Sequence, residues 1–226
     1  MPRIVFGKEV LTALGELVLP QHTALVVVDV QNDFCSPGGC FARLESSNME
    51  MTESCIDKLA GLLAEARRAG TMIIYIQHTN HPNYIYRAAP SLAWLIESLD
   101  SNSPQICIDG GWGHQIVDAV KPLANERIIK KHRHNGFMGT ELDMLLRSNG
   151  IKTVIVTGVA TERCVLATIC GAIAHDYYVV VPTDCVASPS VEMHKAALSV
   201  ICANLLKEGV TDSIQIINVW RGVISS

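Results

Sequence analysis

Six short runs rich in valine, isoleucine and threonine constrain this chain more than anything else in it. They are "ALVVVDV" (24–30), "TMIIYIQ" (71–77), "RIIK" (127–130), "TVIVTG" (153–158), "YVVVPT" (178–183) and "IQIINVW" (214–220). Most are nearly continuous in apolar residues rather than alternating, which is the pattern of parallel strands covered on both faces. Helical patterns fall between them, near 50–69, 91–99, 113–120, 140–149, 162–175 and 190–208. This alternation predicts a three-layer α/β fold with a six-stranded, mostly parallel sheet.

The remaining composition narrows the class. The 226 residues are 49% hydrophobic and 18% charged, enough to bury one sizeable core, so a single domain over 1–226 is expected. A net charge of -4 offers no basic footprint for nucleic acid. No apolar run approaches the roughly 20 residues that span a bilayer. The first 21 residues are broken by charges and a proline and lack a signal-peptide pattern, so a cytoplasmic protein with no membrane partner is expected. The eight cysteines are scattered and form no Cys-x-x-Cys pair. Most read as reduced, buried, small apolar residues. The long irregular stretch 78–112, with Pro82, Pro90, Pro104 and "DGGWG", reads as a functional loop or an interface.

Ligands of open α/β sheets bind beyond the carboxyl ends of the strands. Three reactive residues fall there. Asp29 lies near the end of the first strand, Lys131 follows the third, and Cys164 opens the helix after the fourth. Asp29 interrupts an apolar run, and a buried carboxylate is costly unless paired. It reads either as a cap on the turn "DVQNDF" or as a general base that takes a thiol proton and later activates water. Alternation along a strand lets only one of Lys130 and Lys131 point at the site. Thr161 is placed to cap the following helix. A helix N-terminus would lower the thiol pKa of Cys164 from about 8.5.

At these residues the chain resembles the isochorismatase-like cysteine hydrolases, over about 22–187. The blocks "ALVVVDVQNDF", "IIKKHRHNGFMGTELDMLLRSNGI" and "TVIVTGVATERCVLATICGA" carry the resemblance. It implies a Rossmann-like α/β sheet and a catalytic triad of Asp29, Lys131 and Cys164. The lysine lies six residues before Phe137, as in the family pattern, which selects Lys131 over Lys130. The resemblance also implies a cis peptide at Val159–Ala160, with an oxyanion hole formed by the N–H groups of Ala160 and Cys164. Thr-Glu-Arg-Cys (161–164) and Asn135-Gly136-Phe137 depart from what many relatives carry.

Nicotinamidases of this superfamily bind a divalent metal through an Asp-x-His motif and a further His. Here "QHTNHPNYIY" offers His78 and His81 without the aspartate, and His132 and His134 form only a His-x-His pair. Two imidazoles do not make the ligand set that zinc prefers, so no cofactor and no catalytic metal are expected. The block "GGWGHQIVDAVKP" (110–122) resembles ureidoacrylate hydrolases, and the chain also looks like biuret and triuret hydrolases. The implied activity is hydrolysis of a non-peptide C–N bond in a small ureido or amide compound through a thioacyl or thiocarbamate intermediate. An isochorismatase-type vinyl ether hydrolase, a non-catalytic binding member and a thiol-redox protein are the alternatives. A planar ureido substrate calls for aromatic walls and amide or carboxylate acceptors. Phe34, Trp112 and Phe137 are candidates for the walls. Asn32, Gln77, Asn135 and Glu162 are candidates for the polar contacts. Family relatives are commonly dimers or tetramers, so a homo-oligomer is expected, with a tetramer favoured.

Overall fold

A computed structural model describes residues 3–44, 47–99 and 105–223. Its strands are β1 (Arg3–Val5), β2 (Lys8–Val10), β3 (Thr23–Val28), β4 (Met72–His78), β5 (Arg127–Lys131), β6 (Thr153–Val159), β7 (Tyr178–Pro182), β8 (Val186–Ala187) and β9 (Val210–Thr211). The α-helices are α1 (Leu14–Leu17), α2 (Asn32–Cys35), α3 (Met49–Ala69), α4 (Ala89–Ser98), α5 (Leu142–Ser148), α6 (Leu166–Ala174), α7 (Val191–Asn204) and α8 (Ser213–Trp220). Strands β3 to β9 form one parallel sheet of seven strands in the order β5-β4-β3-β6-β7-β9, with β8 paired to β6.

Every residue of β3 and of β6 is buried, which is why neither shows polar alternation. The two faces divide the side chains of β3 by parity. Leu25 and Val27 join Leu59, Leu62 and Leu63 of α3 and Ile216 and Ile217 of α8. Ala24, Val26 and Val28 join Leu142 and Leu146 of α5 and Ile169 and Ala172 of α6. Helix α3 is delimited at both ends as its sequence suggests. The Asn48 side chain accepts from the Met51 N–H, and Gly70 ends the helix at φ 74°. Among the described residues no helix is long and apolar enough to cross a membrane.

The α/β expectation holds, but three of the expected elements do not. "IQIINVW" is not a strand: Ser213–Trp220 is helix α8, and the last strand is the two-residue β9 just before it. Ser213, Ile216 and Ile217 are buried at helical spacing, and the Asp212 side chain accepts from the Gln215 N–H. A short apolar run carries either periodicity equally well, and here the cap decided. The expected helix at 113–120 is two separate 3-10 turns, Trp112–His114 and Asp118–Val120. The expected helix at 162–175 is split into a π turn, Thr161–Val165, and α6. A hairpin outside the expected set, β1–β2, turns through Phe6 and Gly7 at φ 50° and 77°, the positive angles a tight hairpin needs.

Two backbone features shape the carboxyl rim. Asp29, immediately after β3, sits at φ 53°. Gly158, opposite Val28 in the register, sits at φ 105°, and a Cβ there would collide with the Val28 carbonyl oxygen. The Val159–Ala160 peptide is cis. Part of 78–112 folds as α4, which covers this rim. Pro104 lies outside the described residues.

Candidate active site

Sheet order sets the site. Asp29 follows β3, Cys164 lies in the turn after neighbouring β6, and Lys131 ends β5, two strands from β3 on the other side. Alternation along β5 separates the two lysines. Lys130 is exposed and donates to both carboxylate oxygens of Asp109 at 2.7 and 2.8 Å, whereas Lys131 is fully buried. Lys131 Nζ donates to Asp29 Oδ2 at 2.7 Å, to the Arg133 carbonyl at 3.0 Å and to Cys164 Sγ at 3.2 Å. Those bonds use all three ammonium protons. The structure thus brings Asp29, Lys131 and Cys164 together.

Their proton affinities follow from burial and mutual charge. Burial raises the Asp29 pKa, and the Lys131 charge offsets part of that rise. Burial alone would lower Lys131, but Asp29 and Cys164 outweigh it and hold its pKa above the ordinary lysine value. Burial and the Asp29 charge push the Cys164 thiol up to about 12. The expectation of a helix-lowered thiol pKa is therefore corrected. Cys164 sits in a buried π turn, and the Thr161 hydroxyl is engaged with His194 Nδ1 at 2.8 Å instead of capping the turn. Asp29 and Lys131 thus form a buried ion pair at 2.7 Å, beside a thiol whose proton burial and the Asp29 charge favour. Asp29 Oδ1 is buried and has no hydrogen-bond partner among the described residues, so it remains an open proton acceptor.

The three residues border a cavity. Its floor is Asp29, His78, Cys164 and the Val159–Ala160 backbone. Its walls are Phe34 and Phe41 on one side and Trp94, Leu95 and Leu99 of the α4 region on the other. Arg87, Ser98, His134 and Arg163 are its other polar lining residues. His134 Nδ1 lies 3.3 Å from Cys164 Sγ, and its ring meets Trp94 edge-on at 5.5 Å. Burial and the nearby cations Lys131 and Arg163 lower its pKa to about 4, so it is neutral. His78 lies between Lys131 Nζ at 3.4 Å and Arg87 Nη2 at 2.9 Å. Burial, Lys131 and Arg87 hold it well below the ordinary histidine pKa. Arg163 stacks over Phe41 and Trp94, with its carbon 5.8 and 5.2 Å from the ring centroids.

Of the residues expected to bind substrate, only Phe34 lines the cavity. Gln77 neighbours His78 on β4, and alternation turns its amide toward the His114 carbonyl, 2.8 Å away. Trp112 is half-exposed on a 3-10 turn, and its carbonyl accepts from the Asn32 amide, so Asn32 is occupied as well. The Asn135 side chain accepts from the Phe137 N–H and packs on Gly171. Phe137 stacks on His175 and Tyr177 in the core beneath the rim. Glu162 is buried away from the cavity, 3.5 Å from Arg163 Nε. Arg87, Trp94, His134 and Arg163 line the cavity instead, and none of them is a substrate-contact candidate from the sequence. The only sequence signal for Arg87 and Trp94 was their place in the irregular 78–112 stretch.

A divalent metal does not fit the histidines. His78 is flanked by two cations, His81 Nδ1 accepts from the Asn83 N–H, and His132 Nδ1 contacts the Thr79 carbonyl while its ring stacks on Tyr86. Among the described residues no group of three or more His, Cys, Asp or Glu could hold a metal ion.

A parallel α/β sheet bearing a buried cysteine, lysine and aspartate on its carboxyl rim defines the class. The isochorismatase domain family model matches residues 23–207, and the chain belongs to this family of isochorismatase-like hydrolases. Ureidoacrylate amidohydrolase RutB of Enterobacter sp. (strain 638) is 35% identical over 188 residues, covering 79% of this chain and 81% of that protein. An isochorismatase family protein from Desulfovibrio vulgaris subsp. vulgaris str. Hildenborough superposes with a TM-score of 0.75 at 28% identity, over 89% of this chain and 99% of that one. The pyrazinamidase of Pyrococcus horikoshii in complex with zinc gives a TM-score of 0.66 at 27% identity, over 84% of this chain and 98% of that one.

Proposed function

We propose that the protein is a cysteine-dependent amidohydrolase that cleaves a C–N bond of a small ureido or amide compound, of the biuret, triuret or ureidoacrylate type. The observation that carries this reading is the convergence of Lys131 Nζ on both Asp29 Oδ2 and Cys164 Sγ beneath one cavity. Similarity to a ureidoacrylate amidohydrolase supports it.

The chemistry follows from the resting charges. When substrate enters, Asp29 takes the thiol proton and the thiolate attacks the carbonyl carbon. The new oxyanion is held by the N–H groups of Ala160 and Cys164. A donor of this kind is typically worth about 3 kcal/mol in the transition state. The tetrahedral adduct collapses, the C–N bond breaks, and the departing nitrogen takes the proton from Asp29. A thioester, or a thiocarbamate if the substrate is a ureide, remains on Cys164. Asp29 then removes a proton from water, the hydroxide attacks, and the released sulfur recovers that proton. Lys131 stays protonated throughout and stabilises both the carboxylate and the thiolate.

The test is a substrate panel read by ammonia release: biuret, triuret, ureidoacrylate, N-carbamoyl amino acids and nicotinamide, with isochorismate followed by product analysis. Turnover of at least one ureido compound that disappears in Cys164→Ser is expected. Turnover of isochorismate with none of the ureido compounds would overturn the proposal.

The cations on either side of His78 disfavour a metal there. Exhaustive chelation is therefore expected to leave kcat unchanged. A loss of activity that a divalent ion restores would contradict this.

A further inference from the structure

The charges around the cavity do not balance. Lys131 is neutralised by Asp29 at 2.7 Å, and Arg163 has Glu162 at 3.5 Å besides its two aromatic faces. His78 and His134 are neutral. Arg87 is different. It lines the cavity and is partly buried, and among the described residues no carboxylate lies within ion-pair distance of it. Its partners are all uncharged. Nε donates to Asn80 Oδ1 at 2.7 Å, Nη1 to Ser91 Oγ at 2.8 Å, and Nη2 meets His78 Nε2 at 2.9 Å.

An arginine cannot accept, so at the His78 contact the guanidinium is the donor. Three of the five guanidinium N–H groups are thereby used. The remaining two, one on each terminal nitrogen, are left to donate to a ligand, and a guanidinium with a donor on both terminal nitrogens suits a carboxylate. Asn80 and Ser91 come from opposite sides of the Arg87 turn and hold the fork still, so little side-chain freedom is lost when a ligand binds. A cation removed from water without a counter-ion is costly. An anionic ligand would relieve that cost at the moment of binding.

We infer that Arg87 is the carboxylate-binding residue of this site, and that the substrate is an anion carrying a carboxylate beyond its scissile amide. The inference rests on the amide-hydrolysis reading of the same cavity and narrows it. A ureido acid or N-carbamoyl amino acid fits, whereas neutral biuret and triuret leave the guanidinium uncompensated. The contacts from Arg87 through His78 to Lys131 and Cys164 place the guanidinium one imidazole width from the reacting thiol's ammonium partner. A short spacer between the amide and the carboxylate bridges that separation. Trp94 and Phe34 then flank the spacer, and the carboxylate is drawn toward Arg87 and away from the Asp29 charge.

The experiment compares 3-ureidopropionate with its uncharged carboxamide, titrated calorimetrically into the full-length Cys164→Ala protein. The carboxylate is expected to bind at least about tenfold tighter, a margin of about 1.4 kcal/mol. Arg87→Gln is expected to erase that margin, and Arg87→Lys to restore part of it. Equal affinity of the two ligands for the unmutated pocket, or no carboxylate binding at 10 mM, would overturn the inference without relying on any variant at Arg87. Turnover separates the two proposals. Cys164-dependent hydrolysis of biuret at a rate equal to that of ureido acids would sustain the amidohydrolase and refute the carboxylate anchor. Tight carboxylate binding with no hydrolysis of any amide would do the reverse.

Discussion

Cys164→Ala is expected to lower kcat by at least about a hundredfold, with Asp29→Asn and Lys131→Ala falling comparably, because residues acting as one unit do not contribute additively. The physical ground is the position of Sγ, 3.2 Å from the Lys131 ammonium and 3.3 Å from the His134 imidazole at the cavity floor. Removing the sulfur leaves the Asp29–Lys131 pair at 2.7 Å intact, so the loss should appear in turnover rather than in folding. A thermal melt close to that of the unmutated protein is the control. The adduct is the second readout. Cys170 and Cys202 are the exposed cysteines, and the other six are buried, so a bulky alkylating reagent should label those two first. A slow substrate or small acylating inhibitor should instead place its mass on Cys164. An adduct on another cysteine, together with an active Cys164→Ala, would defeat the assignment.

Lys131→Met is expected to destabilise the protein by about 3–5 kcal/mol, the usual result of stranding one member of a buried ion pair. For a chain of this length that corresponds to a melting temperature lower by roughly 10 °C. Asp29 is only 1% exposed and would lose its counter-charge contact with Lys131. The deficit should depend on pH, in a direction fixed by linkage. Burial already raises the Asp29 pKa, with Lys131 opposing that rise. Deleting Lys131 raises it further. A carboxyl that holds its proton more tightly when folded contributes its full stability below the unfolded value, near 3.9. It loses that contribution as pH climbs through the raised folded value. The variant should therefore lie closest to the unmutated protein in mild acid and furthest from it at about pH 8. Asn at position 29 in the same chain should recover much of the loss. An equal deficit at both pH values would mean that packing, not charge, was lost. The two variants separate a chemical role from a structural one, because Cys164 lies outside the Asp29–Lys131 ion pair and Lys131 is half of it.

What the amino-acid sequence by itself determined was the frame of the molecule and the addresses of its reactive groups. Near-continuous apolar runs mark strands covered on both faces, and the carboxyl ends of such strands are where ligands bind. That rule located Asp29, Lys131 and Cys164 on one rim; the period of two said only that one of Lys130 and Lys131 could face the site, and the spacing to Phe137 in the family resemblance selected Lys131. The tertiary structure decided everything that depended on which side of a turn a neighbour faced. "IQIINVW" became a helix because Asp212 caps it and α3 receives its Ile216 and Ile217. Gln77, Asn135, Phe137 and Glu162 turned away from the cavity because the carbonyl of His114, the backbone at Phe137, the core beside Tyr177 and the space beside Arg163 were closer partners. Arg87 and Trp94 reached the cavity only because the segment carrying α4 folds back over the rim, a placement without any local period to announce it. The thiol's resting proton was likewise hidden. A helix end would favour the thiolate, whereas burial and the Asp29 charge, which only the tertiary structure reveals, raise the thiol pKa.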